Sequence, residues 1–266
     1  MNIVIVTQED PFYIPLFFEE FMKIYKERSV KDDICLKGVV IQEPIGQKSM
    51  INLAKKMLGL YGARDFIKQG IRYATNKVET IMYLKNLKQK CFSIEYFARN
   101  MGTSTLQYKD VNSEVFINFL KENKIDLIVS VSASQIFKKQ VMDTPRYGCI
   151  NIHNAPLPKY RGMLPNFWQM YYDEEFSVTT IHKMVEELDR GDILNQVRTK
   201  INEQMTLDEL IRITKKQSAH SLWDVLVQFT CNTIKYHPIP NIKGSYHTFP
   251  TKEDVRKFKA KGKKVI

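Results

Sequence analysis

Ile125-Asp126-Leu127-Ile128-Val129-Ser130-Val131 is the clearest strand in the 266-residue chain. It is a short apolar run bounded by polar residues, the pattern of a strand covered on both faces of a parallel sheet. Just upstream, Asn112 or Ser113 offers a helix cap, and Val115, Phe116, Phe119 and Leu120 form one apolar face through Asn123. At the start of the chain, Met1 to Thr7 is apolar at almost every position. Pro15 to Tyr25 then carries Phe17, Phe18, Phe21 and Ile24 at spacings near one helical turn, and Ile34 to Ile41 reads as a second strand closed by Glu43-Pro44. A further short strand is expected at Thr105 to Tyr108. The order strand, helix, strand, excursion, helix, strand predicts an α/β fold: a Rossmann-like, mostly parallel sheet with flanking helices, a helical insertion and a short C-terminal extension. The first strand is followed by Gln8-Glu9-Asp10-Pro11-Phe12 and not by a glycine-rich turn. That argues against a nicotinamide or flavin dehydrogenase.

From Gln47 to about Asn100 the chain is lysine-rich and helix-forming, with apolar positions such as Leu53, Leu58, Ile67, Ile71 and Ile81. Glycines 59, 62 and 70 are expected to break it into short helices. It is expected to cover part of the active-site side, to form a subunit contact as in a homodimer, or to be plain helical padding. Near the other end, Thr206-x-x-Glu209 is a capping box that opens a long amphipathic helix through Leu210, Leu222, Trp223 and Phe229, expected to end at Pro238 and Pro240. The predicted division is residues 1–203 as a catalytic unit and 204–266 as a C-terminal helix with a basic tail.

Composition is that of a folded globular protein: 44% hydrophobic and 26% charged residues in 31.2 kDa. The four cysteines lack metal-ligand spacing and are expected as reduced, buried or half-buried thiols. The chain opens directly on a strand, without a signal-like leader, and has no apolar run long enough to span a bilayer; a cytoplasmic location without membrane partner is expected. The net charge of +11 suits anionic partners, a phosphorylated small molecule or a nucleic acid, although a general abundance of lysine explains it as well.

Candidate chemistry sits in Asn151-Ile152-His153-Asn154-Ala155-Pro156-Leu157-Pro158-Lys159-Tyr160-Arg161-Gly162. In a strand, residues two apart project to the same side, so Asn151 and His153 can meet one reacting group. Two prolines and a glycine then impose a stiff loop. Val178 to Met184 alternates like a strand, Asp189-Arg190-Gly191 reads as a loop, and Ile193 to Val197 reads as a further strand. That loop can bring an acid to the imidazole.

An Asn-x-His followed by Leu-Pro-Lys-Tyr-Arg-Gly, a Val178-Thr179-Thr180-Ile181-His182 strand and Asp189-Arg190-Gly191-Asp192-Ile193-Leu194 resembles the N10-formyltetrahydrofolate-dependent formyltransferases. The likeness is dense from about Ile125 to Gln196. It implies one-carbon transfer from N10-formyltetrahydrofolate as co-substrate, with Asn151, His153 and Asp189 as catalytic residues and no metal. It further implies that Ser134, Gln135, Ile136 and Phe137 hold the pterin, with Val185, Glu186, Glu187 and Leu188 as the second wall. Tyr160 and Arg161 are expected on the substrate side, Arg161 meeting an anion or fixing its own loop. Formyl transfer to an amine passes through a tetrahedral oxyanion. Asn151 can donate to it, a role worth roughly 10²–10³ in rate, and His153 can take the amine proton, worth roughly 10²–10⁴. Asp189 is expected to orient that imidazole and raise its pKa; which of the two finally takes the proton stays open. His182 is expected to be a packed or supporting residue. Ala155 stands where many relatives of this kind have Ser. A short C-terminal region favours an amino-sugar nucleotide as acceptor over methionyl-tRNA; an inactive nucleotide- or RNA-binding module is the alternative of a different class.

Overall fold

The computed structural model describes residues 1–43 and 50–266. The expected start of the excursion at Gln47, the Pro44 that closes the second strand and the side chain of Leu53 lie outside the described residues.

In chain order the elements are β1 (Asn2–Gln8), α1 (Ile14–Arg28), β2 (Cys35–Gln42), α2 (Met50–Tyr61), α3 (Ala63–Leu84), α4 (Ile94–Asn100), β3 (Thr105–Leu106), α5 (Glu114–Glu122) and β4 (Leu127–Val131). Then follow α6 (Lys139–Met142), β5 (Cys149–His153), β6 (Arg161–Gly162), α7 (Pro165–Tyr171), β7 (Phe176–Lys183), β8 (Ile193–Lys200), α8 (Leu207–Thr230), β9 (Tyr246–His247) and α9 (Lys252–Ala260). The main sheet runs β3-β2-β1-β4-β5-β7-β8. Its first five strands are mutually parallel; β7 and β8 are antiparallel additions at one edge. This is the Rossmann-like, mostly parallel sheet that the strand pattern predicts.

Strand alternation explains why β1 and β4 are apolar throughout. Ile3, Ile5, Leu127 and Val129 face a core under α1 and α8, while Val4, Val6 and Ile128 face a second core under α5. On the first side, Phe17, Phe18 and Phe21 of α1 meet Leu222, Trp223 and Phe229 of α8, with the Phe21 and Trp223 rings 5.6 Å apart. The Trp223 indole N–H is not left dry: it donates to Asp32 Oδ2 at 2.7 Å. The predicted boundary at 203 falls between β8 and α8, and α8 shares the main core.

Three local expectations change. Helix α3 runs 22 residues straight through Gly70, and α2 runs through Gly59; of the three glycines only Gly62, at φ 83°, breaks a helix. A helical glycine costs about 1 kcal/mol relative to alanine, which good helix formers on either side absorb. Helix α8 stops at Thr230, well before Pro238, where the chain turns through Cys231. Cys35 and Cys231 are exposed, and only Cys91 and Cys149 are buried; all four are free thiols. No helix among the described residues is long and apolar enough to cross a membrane.

A third core ties the C-terminal segment to the site loop. Tyr160, Phe167 and Trp168 pack with Phe249, Val255 and Phe258, and β9 pairs in parallel with β6. Gly162, at φ 95°, is required there: a Cβ would overlap the His247 carbonyl oxygen and press on the Tyr246 ring.

Candidate active site

Strand order reverses between β1 and β4, so the loops leaving their carboxyl ends diverge and open a crevice, the place where open α/β sheets bind ligands. The carboxyl end of β5 borders this crevice and carries Asn151 and His153 on one face of the strand. The antiparallel register with β7 sets His182 directly opposite Asn151. The loop after β7 returns Asp189 to the same place, with its backbone left-handed at φ 55°. Gly191 permits that turn, because a Cβ would collide with the Lys183 carbonyl.

His153 is buried, and its Nε2 lies 3.2 Å from the Tyr160 carbonyl oxygen. A carbonyl only accepts, so Nε2 carries the hydrogen and Nδ1 keeps the lone pair of the neutral ring. Burial holds the imidazole below its ordinary pKa; the Asp189 charge and the Tyr160 carbonyl pull upward, and His182 and Lys215 push down with burial. The expected upward shift is therefore reversed, since desolvation outweighs the carboxylate. Asp189 is itself buried. Burial alone would raise its carboxyl, but His182 at 3.5 Å, the nearby His153 imidazole and the Gly162 N–H together hold it below the usual carboxylate range.

The contact that Asp189 makes is thus to His182 and not the expected hydrogen bond that orients His153. His182 is a fully enclosed residue with both nitrogens engaged. Its Nδ1 lies 2.9 Å from the Lys183 carbonyl and must donate, so in the neutral ring Nε2 accepts from Asn151 Nδ2 at 3.2 Å. That bond fixes the Asn151 amide and leaves its second N–H free. Sequence reading left His182 as packing or support; the signal that finds it is its place across the strand pair from Asn151.

A second missed group is Lys215 of α8. Its ammonium reaches the crevice, donates to Ser132 Oγ at 2.8 Å and faces the Asp10 carboxylate. Ser132 is held left-handed at φ 57°, and Asp10 Oδ1 accepts the N–H groups of Phe12 and Tyr13 at 2.7 and 3.1 Å. Burial lowers the Lys215 pKa and raises that of Asp10. No sequence signal near Asn151 points to a lysine so far along the chain.

The remaining expected residues divide. Ile136, Val185, Glu186, Glu187 and Leu188 are exposed, three of them apolar, as open walls need. Ser134 donates through both N–H and Oγ to Gln42 Oε1, and Gln135 is tied to Val111 and Lys109. Phe137 keeps its ring buried in the core under α5, which leaves its backbone for the expected role. Tyr160 is a correction, because its hydroxyl donates to Glu174 at 2.7 Å, leaving the carbonyl on His153 as its contribution to the site. Arg161 lies beside it, with a buried Nε that has no hydrogen-bond partner among the described residues.

The arrangement provides a fixed amide donor, a neutral imidazole with a free lone pair, and a buried carboxylate beside them. A family profile described as formyl transferase matches residues 69–226. Among curated proteins, the chain is 36% identical over 133 residues to the methionyl-tRNA formyltransferase of Lachnospira eligens, which is 50% of this chain and 42% of that protein. It is 40% identical over 119 residues to the one from Clostridium acetobutylicum, 45% and 38% of the two chains. The chain thus spans less than half the length of these relatives. Among solved structures it resembles a sugar N-formyltransferase from a Shewanella species, with a TM-score of 0.57, 19% identity and coverage of 93% of this chain and 76% of that one. A phosphoribosylglycinamide formyltransferase from Anaplasma phagocytophilum gives a TM-score of 0.58 at 14% identity, over 93% and 98%. Matched over more than half its length by that profile and carrying the same fold, the chain belongs to the formyl transferase family.

Proposed function

We propose that the protein transfers a formyl group from N10-formyltetrahydrofolate to a primary amine, and that the amine belongs to an amino-sugar nucleotide. The observation that carries the reaction is the position of Asn151 and His153 side by side at the end of β5, with the ionised Asp189 beside them. In this reading the exposed apolar side chains of Ile136, Val185 and Leu188 face the donor's flat ring. Asn151, locked by His182, donates its free N–H to the formyl oxygen as the acceptor nitrogen attacks the formyl carbon. His153 takes the proton lost by that nitrogen at Nδ1. The bond from the formyl carbon to N10 then breaks, and N10 leaves with a proton. Of the two candidate bases, His153 fits the transfer in this reading, because its Nδ1 keeps the lone pair while Asp189 serves as a fixed counter-charge.

For the acceptor, support comes from the cationic groups around the crevice, the unpartnered Arg161 Nε and the Lys215 ammonium, which suit a diphosphate. It also comes from a fold neighbour, the N-formyltransferase from Helicobacter canadensis in complex with folinic acid and dTDP-3-aminofucose. Methionyl-tRNA is the second reading, favoured by the names of the sequence relatives. A screen of amino-sugar nucleotides and methionyl-tRNA with the formyl donor decides between them, reading tetrahydrofolate release and product mass. A sugar product that disappears in Asn151→Ala supports the proposal; formyl-methionyl-tRNA alone overturns the sugar assignment.

A further inference from the structure

Helix α3 faces the wrong way for a helix at the surface of a monomer. Residues at 65, 72, 76, 79 and 83 share one side of it, and this polar side points at the protein. Asn76 Nδ2 donates to the Pro11 carbonyl at 2.8 Å, Arg72 lies over the Phe12 ring at 5.6 Å, and the Tyr83 and Tyr96 rings meet at 5.4 Å. Nearby, Lys77 pairs with Glu9. The apolar side points at solvent: Ile67 is 62% exposed, Ile71 65%, Val78 55% and Ile81 49%. No side chain of α3 is buried.

The exposed apolar residues at 67, 71, 74, 78 and 81 are spaced by four and three in alternation, with Met82 and Leu84 at the two edges and Tyr73 farther round. That is the a/d repeat of a two-helix seam. With Met82 on its flank the stripe offers on the order of 500 Å² of apolar side chain. A standard interface of roughly 800 Å² per partner, a little over half of it apolar, needs about that much.

We propose that this stripe pairs with the same stripe of a second copy, antiparallel, about a two-fold axis at Ala74. The spacing is close to symmetric about that residue. Ile67 then meets Ile81 of the second copy, Ile71 meets Val78, and Ala74 meets Ala74, with Gly70 beside the axis letting the backbones approach. In this register the edge carrying Arg64 and Lys68 faces its own counterpart, where Thr75 and Met82 lie, and Lys77 on the other edge faces Tyr73, so no like charges oppose each other across the seam. A two-fold contact needs such self-complementarity. Because the inner face of α3 holds Pro11 and Phe12 of the loop after β1, the seam would brace the wall of the crevice.

The test is sedimentation equilibrium of the full chain at micromolar concentrations, with the exposed-site variants Ile71→Glu and Val78→Glu checked for unchanged circular dichroism. The wild type is expected as a dimer, and each variant to weaken association by more than about 100-fold, since two desolvated apolar side chains are lost per dimer. As a second reading, single cysteines are introduced in a Cys35→Ser, Cys231→Ser background and treated with a short bismaleimide. The Ala74→Cys variant is expected to cross-link to itself, and Ile67→Cys to cross-link to Ile81→Cys in a mixture but not to itself. A wild-type monomer, a dimer indifferent to the glutamates, or self-linking of Ile67→Cys would overturn the proposal. So would a monomer that binds anionic lipid vesicles through Ile71, which would give the stripe to a membrane.

Discussion

Replacing Gly162 by Ala tests whether the C-terminal segment positions the imidazole. Gly162 has φ 95°, and any Cβ there overlaps the His247 carbonyl oxygen. Gly262 is also left-handed, at φ 76°, yet a Cβ there meets nothing within 4 Å. The backbone cost of a non-glycine residue in this region, about 1–2 kcal/mol, is common to both positions. Gly262→Ala should therefore show that cost alone, a fall in Tm of about 2–8 °C for a protein of this size. In Gly162→Ala the β6–β9 pair must also part. Arg161 N–H to the Ser245 carbonyl at 3.0 Å and Met163 N–H to the His247 carbonyl at 2.9 Å are then weakened. At about 1 kcal/mol each, the loss roughly doubles. Tyr160, two residues away, moves with the strand, and its carbonyl holds His153 Nε2. A displacement of about 1 Å at such a group costs on the order of 10² in rate. Loss of that carbonyl also shifts the acid limb of kcat/KM to lower pH, because the bond favours the imidazolium. Thermal melts and donor turnover followed by absorbance measure both effects. If Gly162→Ala and Gly262→Ala coincide in Tm and rate, β9 does not hold the site.

The pH profile supplies a further check: with His153 as the base, the acid limb of kcat/KM should lie below pH about 6.5, the ordinary histidine value. Asp189→Asn, which suits a left-handed backbone, should move that limb lower still and reduce the rate by roughly 10²–10⁴, whereas Lys215→Met should move it higher. In equilibrium unfolding, His153 should contribute a loss of stability as pH falls from above about 6.5 towards its lower folded value, because the unfolded chain binds the proton first; His153→Gln should flatten that part of the curve. His182→Ala should cost about as much as Asn151→Ala, roughly 10²–10³ in kcat, and the double variant little more, since the amide acts only when the ring fixes it; additive losses would show the two residues to be independent.

The sheet was legible because its central strands are enclosed on both sides and therefore apolar without interruption, as in Ile3 to Val6 and Leu127 to Val129. The pairing of Asn151 with His153 was legible for the same geometric reason, strand alternation. His182 was harder to read because its role depends on which residue of β7 lies opposite Asn151, and register is a tertiary fact. Lys215 comes from a helix that crosses the sheet, and nothing local to it distinguishes it from the other lysines. Phe137 is expected at the pterin and Tyr160 on the substrate side by their place in a motif, but their rings are large enough to be claimed by the cores beneath. Gly70 misled because α3 has no core-facing stripe against which to judge it.

The clamp between Arg161–Gly162 and Tyr246–His247 also sets an order of events during synthesis. The Tyr160 N–H is held by Ser245 Oγ, a hydrogen bond between residues 85 positions apart. While the ribosome is still making α8, the nascent chain already contains Asn151, His153 and Asp189, but the loop that supplies the imidazole with its acceptor has nothing to rest on. Under the proposed function, activity is therefore expected only after residues 244–249 have emerged and docked, and a prematurely terminated product is expected to be silent although all three polar residues are intact.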